Sequence, residues 1–193
     1  MNINKAACIF MSLILLFLAV SCDTPGSPGS LASSTTGSSQ VWMGFDPGSM
    51  TGTLVCQGFT LDNTATVTGI RLFITTKTGT PTGDYIVSIK TDNAGKPSAT
   101  NADANATLSK NAASITQNAW NTWTFPASFS LSGSTQYWVV VTTNENDMTG
   151  ANGIYFGYDN AGSYAGGAMG TYDSMVTFTW TINTANDLKF IVQ

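Results

Sequence analysis

The chain reads as all-β: a two-sheet antiparallel β-sandwich of jelly-roll type over residues 41–193, preceded by a signal peptide and a flexible linker. Three observations predict it. Apolar residues recur with period two through this region, and no stretch carries a convincing 3.6-residue stripe. Clusters rich in Gly, Pro, Asn and Asp punctuate the apolar runs, as turns between short strands do. Charged residues make up only 9% of the chain. Solubility then rests on hydroxyls and amides, the habit of β-proteins outside the cytoplasm.

The first element is residues 1–21. Lys5 precedes an apolar core, Ala6 to Val20, and small residues lead into Cys22. This is the grammar of a signal peptide. With a cysteine at the cut it resembles a bacterial lipoprotein signal, in which the thiol is acylated before cleavage. Val20 and Ser21 fit that pattern, while Ala19 stands where leucine is usual. Ordinary cleavage after Ala19-Val20-Ser21 is the competing reading. A retained anchor is disfavoured, because the core of about 15 residues falls short of the roughly 20 that a spanning helix needs. The resemblance implies Cys22 as the lipidation site and attachment to the membrane of a bacterial envelope, outer membrane or cell surface favoured. Residues 22–40 follow as a Pro/Gly/Ser-rich tether, too polar to fold, with an r.m.s. span of about 23 Å.

Within residues 41–193, Ile70, Leu72 and Ile74 alternate with Arg71, Phe73 and Thr75. The same pattern recurs at Tyr85/Val87/Ile89, at Trp123/Phe125 and at Leu188/Phe190/Val192. Each is a strand with one face toward a core. The run Tyr137-Trp138-Val139-Val140-Val141 is apolar on both faces, which predicts a central strand covered on both sides or one lining a groove. Residues 101–113 are Ala-rich, but their Asn, Asp, Thr and Ser favour an edge strand with loops. Nine or ten strands are expected, packed as two sheets.

The order Val67-Thr68-Gly69-Ile70-Arg71-Leu72, Pro81-Thr82-Gly83-Asp84-Tyr85, Asp92-Asn93-Ala94-Gly95-Lys96-Pro97, Trp120-Asn121-Thr122-Trp123, Leu131-Ser132-Gly133-Ser134 and Tyr137-Trp138-Val139 resembles the choice-of-anchor type β-sandwich domains of bacterial surface proteins. Tyr164-Ala165-Gly166-Gly167 and Asp187-Leu188-Lys189-Phe190 complete it. That group is similar in layout to carbohydrate-binding modules and galactose-binding-like jelly rolls. The resemblance implies a binding domain without catalytic residues to carry over.

Composition closes many chemistries. The chain has no histidine, which removes Ser-His-Asp and Cys-His hydrolysis and the usual histidine metal sites. Glu145 is the one glutamate. Once Cys8 leaves with the signal and Cys22 is acylated, Cys56 has no disulfide partner and reads as a buried, inert thiol. The chain is therefore expected not to be an enzyme and to require no cofactor. Without Lys5 the net charge is −5, and no basic run occurs, so neither nucleic acid nor an anionic lipid surface is an expected partner.

Two groups of residues are candidates for binding. Tyr158, Tyr164 and Tyr172 flank Gly-rich turns that carry Asp159, Asn160 and Asp173. Aromatic faces pack against the apolar face of a sugar while amides and carboxylates take its hydroxyls; the competing reading is that these rings cover the ends of the sandwich. For a structural calcium ion, Asp92 and Asn93, or Asp46 with Asp187, offer oxygen ligands. The competing reading of Asp92-Asn93-Ala94-Gly95 is an Asx-turn. The expected function is a membrane-anchored, non-catalytic binding module for a glycan or envelope protein. The alternative is a structural or adhesion component working through protein–protein contacts.

Overall fold

The computed structural model describes residues 30–46, 51–145, 152–173 and 179–193. Cys22 and residues 1–21 lie outside them. The described residues form two antiparallel sheets packed face to face, a β-sandwich, as the periodicity requires.

The strands are β1 (Ala32–Ser34), β2 (Ser39–Asp46), β3 (Thr51–Thr60), β4 (Ala65–Thr78), β5 (Asp84–Asp92), β6 (Pro97–Asn101) and β7 (Thr107–Asn111). After a single 3-10 turn at Ala112–Ser114 come β8 (Ala119–Leu131), β9 (Gln136–Thr143), β10 (Gly153–Asp159), β11 (Met169–Asp173), β12 (Thr179–Asn183), β13 (Asp187–Leu188) and β14 (Phe190–Val192). The fourteen strands among the described residues exceed the nine or ten expected, because the pieces of two to five residues are too short to show a period.

In the first sheet, β4 pairs with β8 along one edge and with β14 and then β10 along the other. Strand β1 extends β14, and β2 extends β10. The second sheet runs β12, β11, β3, β9, β5, with β6 and β7 on the far edge of β5. Pairing of the end of β2 with the start of β3 joins the sheets at one corner, Gly44 opposite Thr53 and Asp46 opposite Thr51.

Between the sheets the expected faces point inward. Ile70, Leu72 and Ile74 from β4, Tyr85, Val87 and Ile89 from β5, and Trp123 from β8 are wholly buried in one cluster with Phe59, Phe156 and Phe190. The two-faced run is β9. Its Tyr137, Val139 and Val141 face the core, while Trp138 and Val140 face outward and are buried with Cys56 against Trp180 and Ile182. Burial pushes the Cys56 thiol up, as expected of an inert cysteine. Residues 101–113 supply the edge strand β7, paired with β5.

One boundary is corrected. The tether was expected to reach residue 40, but Ala32–Ser34 pair with Phe190–Val192, and Leu31 donates its N–H to the Val192 carbonyl at 2.8 Å. Thr36 donates to Asp159 at 3.1 Å, and the Lys189 ammonium donates to the Gly37 carbonyl at 2.9 Å. The folded domain therefore includes residues 31–34, which composition alone assigns to the tether.

Candidate binding cleft on the outer face of the second sheet

Register across the second sheet sets which side chains share its outer face. Trp180 stands opposite Tyr172, and Tyr172 opposite Leu54. Ile182 stands opposite Gly170, Gly170 opposite Cys56, and Cys56 opposite Val140. Trp138 stands opposite Gly58 on one side and Lys90 on the other. Side chains two residues apart on a strand point the same way, so these rows form one continuous surface.

Over this surface lies a cleft of about 300 Å³ lined by Leu54, Lys90, Pro97, Ser98, Ala99, Val140, Tyr172 and Trp180. The Tyr172 and Trp180 rings meet at 5.3 Å between centroids, tilted by 55°, and form one wall. Pro97 to Ala99 form the opposite wall, and the Lys90 ammonium is held there by the Ala99 carbonyl at 3.2 Å. Partial burial lowers the Lys90 pKa from its ordinary value. Beneath the neighbouring row, β11 passes close to Cys56 and Ile182 and needs a small residue there. A Cβ on Gly170 would lie 2.6 Å from Ile182 Cδ1 and 2.8 Å from Cys56 Sγ.

A wider depression of about 970 Å³ adjoins it beyond Trp138 and Ile182, bounded by Leu31, Asp62, Asp92, Gln136, Tyr164 and Gly166. Its polar groups are fixed. Asp92 accepts the Trp138 indole N–H at 2.8 Å on one oxygen and the Gly95 amide at 3.1 Å on the other. Gln136 donates to the Phe59 and Tyr137 carbonyls at 3.2 and 3.0 Å. The whole groove thus offers aromatic and aliphatic faces, one ammonium and a few oriented polar groups, a composition suited to holding a ligand with an apolar face.

The structure divides the six residues expected to bind together. Tyr172 lines the cleft, and the Asp173 backbone follows it opposite Thr53 and Thr179. Tyr158, Asp159, Asn160 and Tyr164 lie at the other end of the fold. There Tyr158 packs against the core, and Tyr164 stacks edge-on to Phe190 at 5.2 Å. The Tyr164 hydroxyl donates to the Thr60 carbonyl at 3.3 Å, so this ring does close one end of the sandwich while edging the wider depression. Asn160 is exposed. Asp159 is a turn organiser: Ser163, the Ala161 amide and Thr36 donate to it, and those bonds hold its carboxyl below the usual range.

The paired calcium arrangement is also corrected. Asp46 lies beyond Gly44, which is opposite Gly153, whereas Asp187 is opposite Asp159 at the far end of β10. Eight positions along β2 and its extension separate the two levels, about 26 Å at the strand rise. Asp187 is instead buried in a local network. It accepts the Gln57 amide at 3.1 Å and the Tyr164 backbone N–H at 2.9 Å, while Gln57 accepts the Leu188 amide at 2.7 Å. Asp92 and Gly95 form the Asx-turn, with Ala94 and Gly95 at φ 52° and 79°, and Asn93 is exposed. Among the described residues no three His, Cys, Asp or Glu side chains gather as a metal-binding group.

Burial pushes the Asp187 carboxyl up, so its folded pKa exceeds its unfolded one. The folded state then holds the extra proton between those two values, and stability contributed by protonation is lost as pH rises through the folded value. The stability of the wild type relative to Asp187→Asn should therefore grow as pH falls from 7 toward 4. Urea denaturation at several pH values checks this, and a pH-independent difference would refute it.

Sequence reasoning missed Lys90, Pro97, Leu54 and Trp180 as cleft residues. The usable signal was the double-sided apolar run of β9, which marks an outward apolar surface as well as a core. No family model, curated protein or solved structure matches the chain.

Proposed function

We propose that this protein is a lipid-anchored binding module of a bacterial envelope, acylated at Cys22 and holding a glycan in the cleft of its second sheet. The observation that supports the reading is the Tyr172–Trp180 wall facing the Lys90 ammonium across a cleft of about 300 Å³, room for a sugar ring or two. A pyranose would lay its C–H face on the rings, and Lys90, Ser98 and Asp92 border the path of its hydroxyls. Ring contacts of this kind contribute through packing and desolvation, so truncating one costs most of the affinity of a weak complex.

The test is a glycan array probed with the mature protein, followed by titration of any hit. Trp180→Ala and Tyr172→Ala should each weaken binding roughly 10- to 100-fold, the effect of losing a buried aromatic contact of about 1.5–3 kcal/mol. Tyr164→Ala should weaken it far less. A blank array together with concentration-dependent self-association abolished by Trp180→Ala would favour the structural or adhesion role instead.

A further inference from the structure

The outer face of the first sheet differs from the cleft face in both charge and composition. Arg71 lies over the Trp120 ring at 5.6 Å, Trp120 meets Phe73 edge-on at 5.5 Å, and the Lys189 ammonium sits 4.6 Å from the Phe73 centroid. Tyr155 continues the face, opposite Trp42, whose ring lies across Gly153. All six side chains are partly exposed. Among side chains described, the carboxylates that reach solvent belong elsewhere. Asp84 and Asp92 end β5, Asp103 follows β6, and Asp62 lies in the β3–β4 turn. An acidic chain therefore carries one face of aromatic rings and cations.

The described chain begins at the edge of that face, where Leu31 also borders the wider depression. Ser33, Ile191, Arg71 and Thr122 form one row across β1, β14, β4 and β8. Ser30 lies three residues before Ser33, which puts the chain's exit about 14 Å from Arg71 by strand rise and spacing. From Ser30 back to Cys22 the chain can span no more than about 28 Å.

We infer that this face rests on an anionic phospholipid surface, with Arg71 and Lys189 at the phosphates and Trp42, Tyr155 and Trp120 at the headgroup boundary, so that the cleft of the opposite sheet points away from the membrane. The inference rests on the proposed acylation of Cys22, which supplies the attachment; the face supplies only orientation. Each Lys or Arg near an anionic leaflet is worth about fivefold in affinity, so two bias the choice of face roughly 25-fold once the domain is tethered. Alone they would not hold it there. Trp and Tyr settle at the lipid–water boundary because one end of each ring system is apolar and the other hydrogen-bonds. The sequence shows no basic run because the two cations come from strands far apart in the chain.

The test uses the mature acylated protein in vesicles of phosphatidylglycerol and brominated phosphatidylcholine, with tryptophan quenching by bromine as readout. Quenching should fall in Trp42→Phe and Trp120→Phe and stay unchanged in Trp180→Phe. Arg71→Gln/Lys189→Gln should reduce it severalfold at low salt, as should replacing phosphatidylglycerol by a zwitterionic lipid. Quenching carried by Trp180, or unmoved by the charge changes, overturns the inference; so does a vesicle-independent dimer lost in Trp42→Phe. Mass spectrometry of the N-terminus separates the two readings. If the Cys22 thiol is free, the proposed anchor fails, and coupling that thiol to a maleimide phospholipid still tests the face, since Cys56 is buried.

Discussion

Trp123→Ala should destabilise the domain by about 3–5 kcal/mol, near the top of the range for a single core substitution. Trp123 is wholly buried between the sheets and is the largest such side chain. It comes from β8 opposite Ile70 of β4, and its indole N–H donates to the Tyr85 carbonyl of β5 in the facing sheet at 3.2 Å. One side chain thus fills the core and ties the two sheets by a directed bond. Lys110 lies 5.1 Å over the ring and donates to the Thr122 carbonyl at 2.7 Å, covering the outer edge. Alanine leaves a cavity that the surrounding strands cannot close, because each is held in register by its ladder. A loss of this size lowers the melting temperature by roughly 6–20 °C for a domain of this length. Trp123→Phe keeps most of the volume and loses the N–H, so its cost should be about half. Far-UV circular dichroism during urea denaturation measures both; equal losses in the two variants would mean that the bond to Tyr85, not the volume, dominates.

The core was legible because alternation is a local property. Ile70, Leu72 and Ile74, or Tyr85, Val87 and Ile89, declare a shared face within five residues, and the structure buries each set. What could not be read was which strands meet. Leu31 and Ala32 are a small apolar patch in a polar stretch, and they become part of a sheet only because Val192 arrives beside them. The cleft has the same origin. Lys90, Trp138 and Trp180 belong to three strands far apart in the chain, and only pairing to β3 and β11 places them on one surface. Tyr164 and Tyr172 illustrate the converse. Eight residues apart, they looked like one loop cluster, yet β11 begins between them at Met169 and carries Tyr172 to the outer face while Tyr164 stays on Phe190. The bulge where β10 passes from Ile74 to Thr76 similarly leaves Thr75 out of the ladder and changes which later β4 residues face inward. Lys77 then reaches the Ala112 and Ile115 carbonyls at 2.7 and 3.1 Å.

Glu145, the chain's one glutamate, should prove a fold determinant: Glu145→Ala is expected to cost about 3 kcal/mol, and Glu145→Gln about 1. Its side chain is buried, and one carboxylate oxygen accepts the backbone N–H groups of Thr82 and Gly83 at 2.8 and 2.7 Å. Those amides belong to the connection between β4 and β5, so the bond fastens the crossing between sheets to the end of β9. Water cannot substitute easily, since the two backbones are in close contact: a Cβ on Gly83 would lie 2.6 Å from the Glu145 Cα. Alanine would leave the Thr82 and Gly83 N–H groups without their carboxylate acceptor, whereas glutamine keeps a carbonyl oxygen where the carboxylate oxygen was. The charge also acts on a neighbour. The Tyr85 hydroxyl is pushed up first by burial and then by the Glu145 carboxylate. Hydrogen exchange would locate the damage, with Thr82, Gly83 and the Ala112 amide, which donates to the Gly83 carbonyl at 2.9 Å, losing protection first. Equal destabilisation by Gln and Ala would show that the negative charge itself, rather than an acceptor at that position, holds the crossing in place.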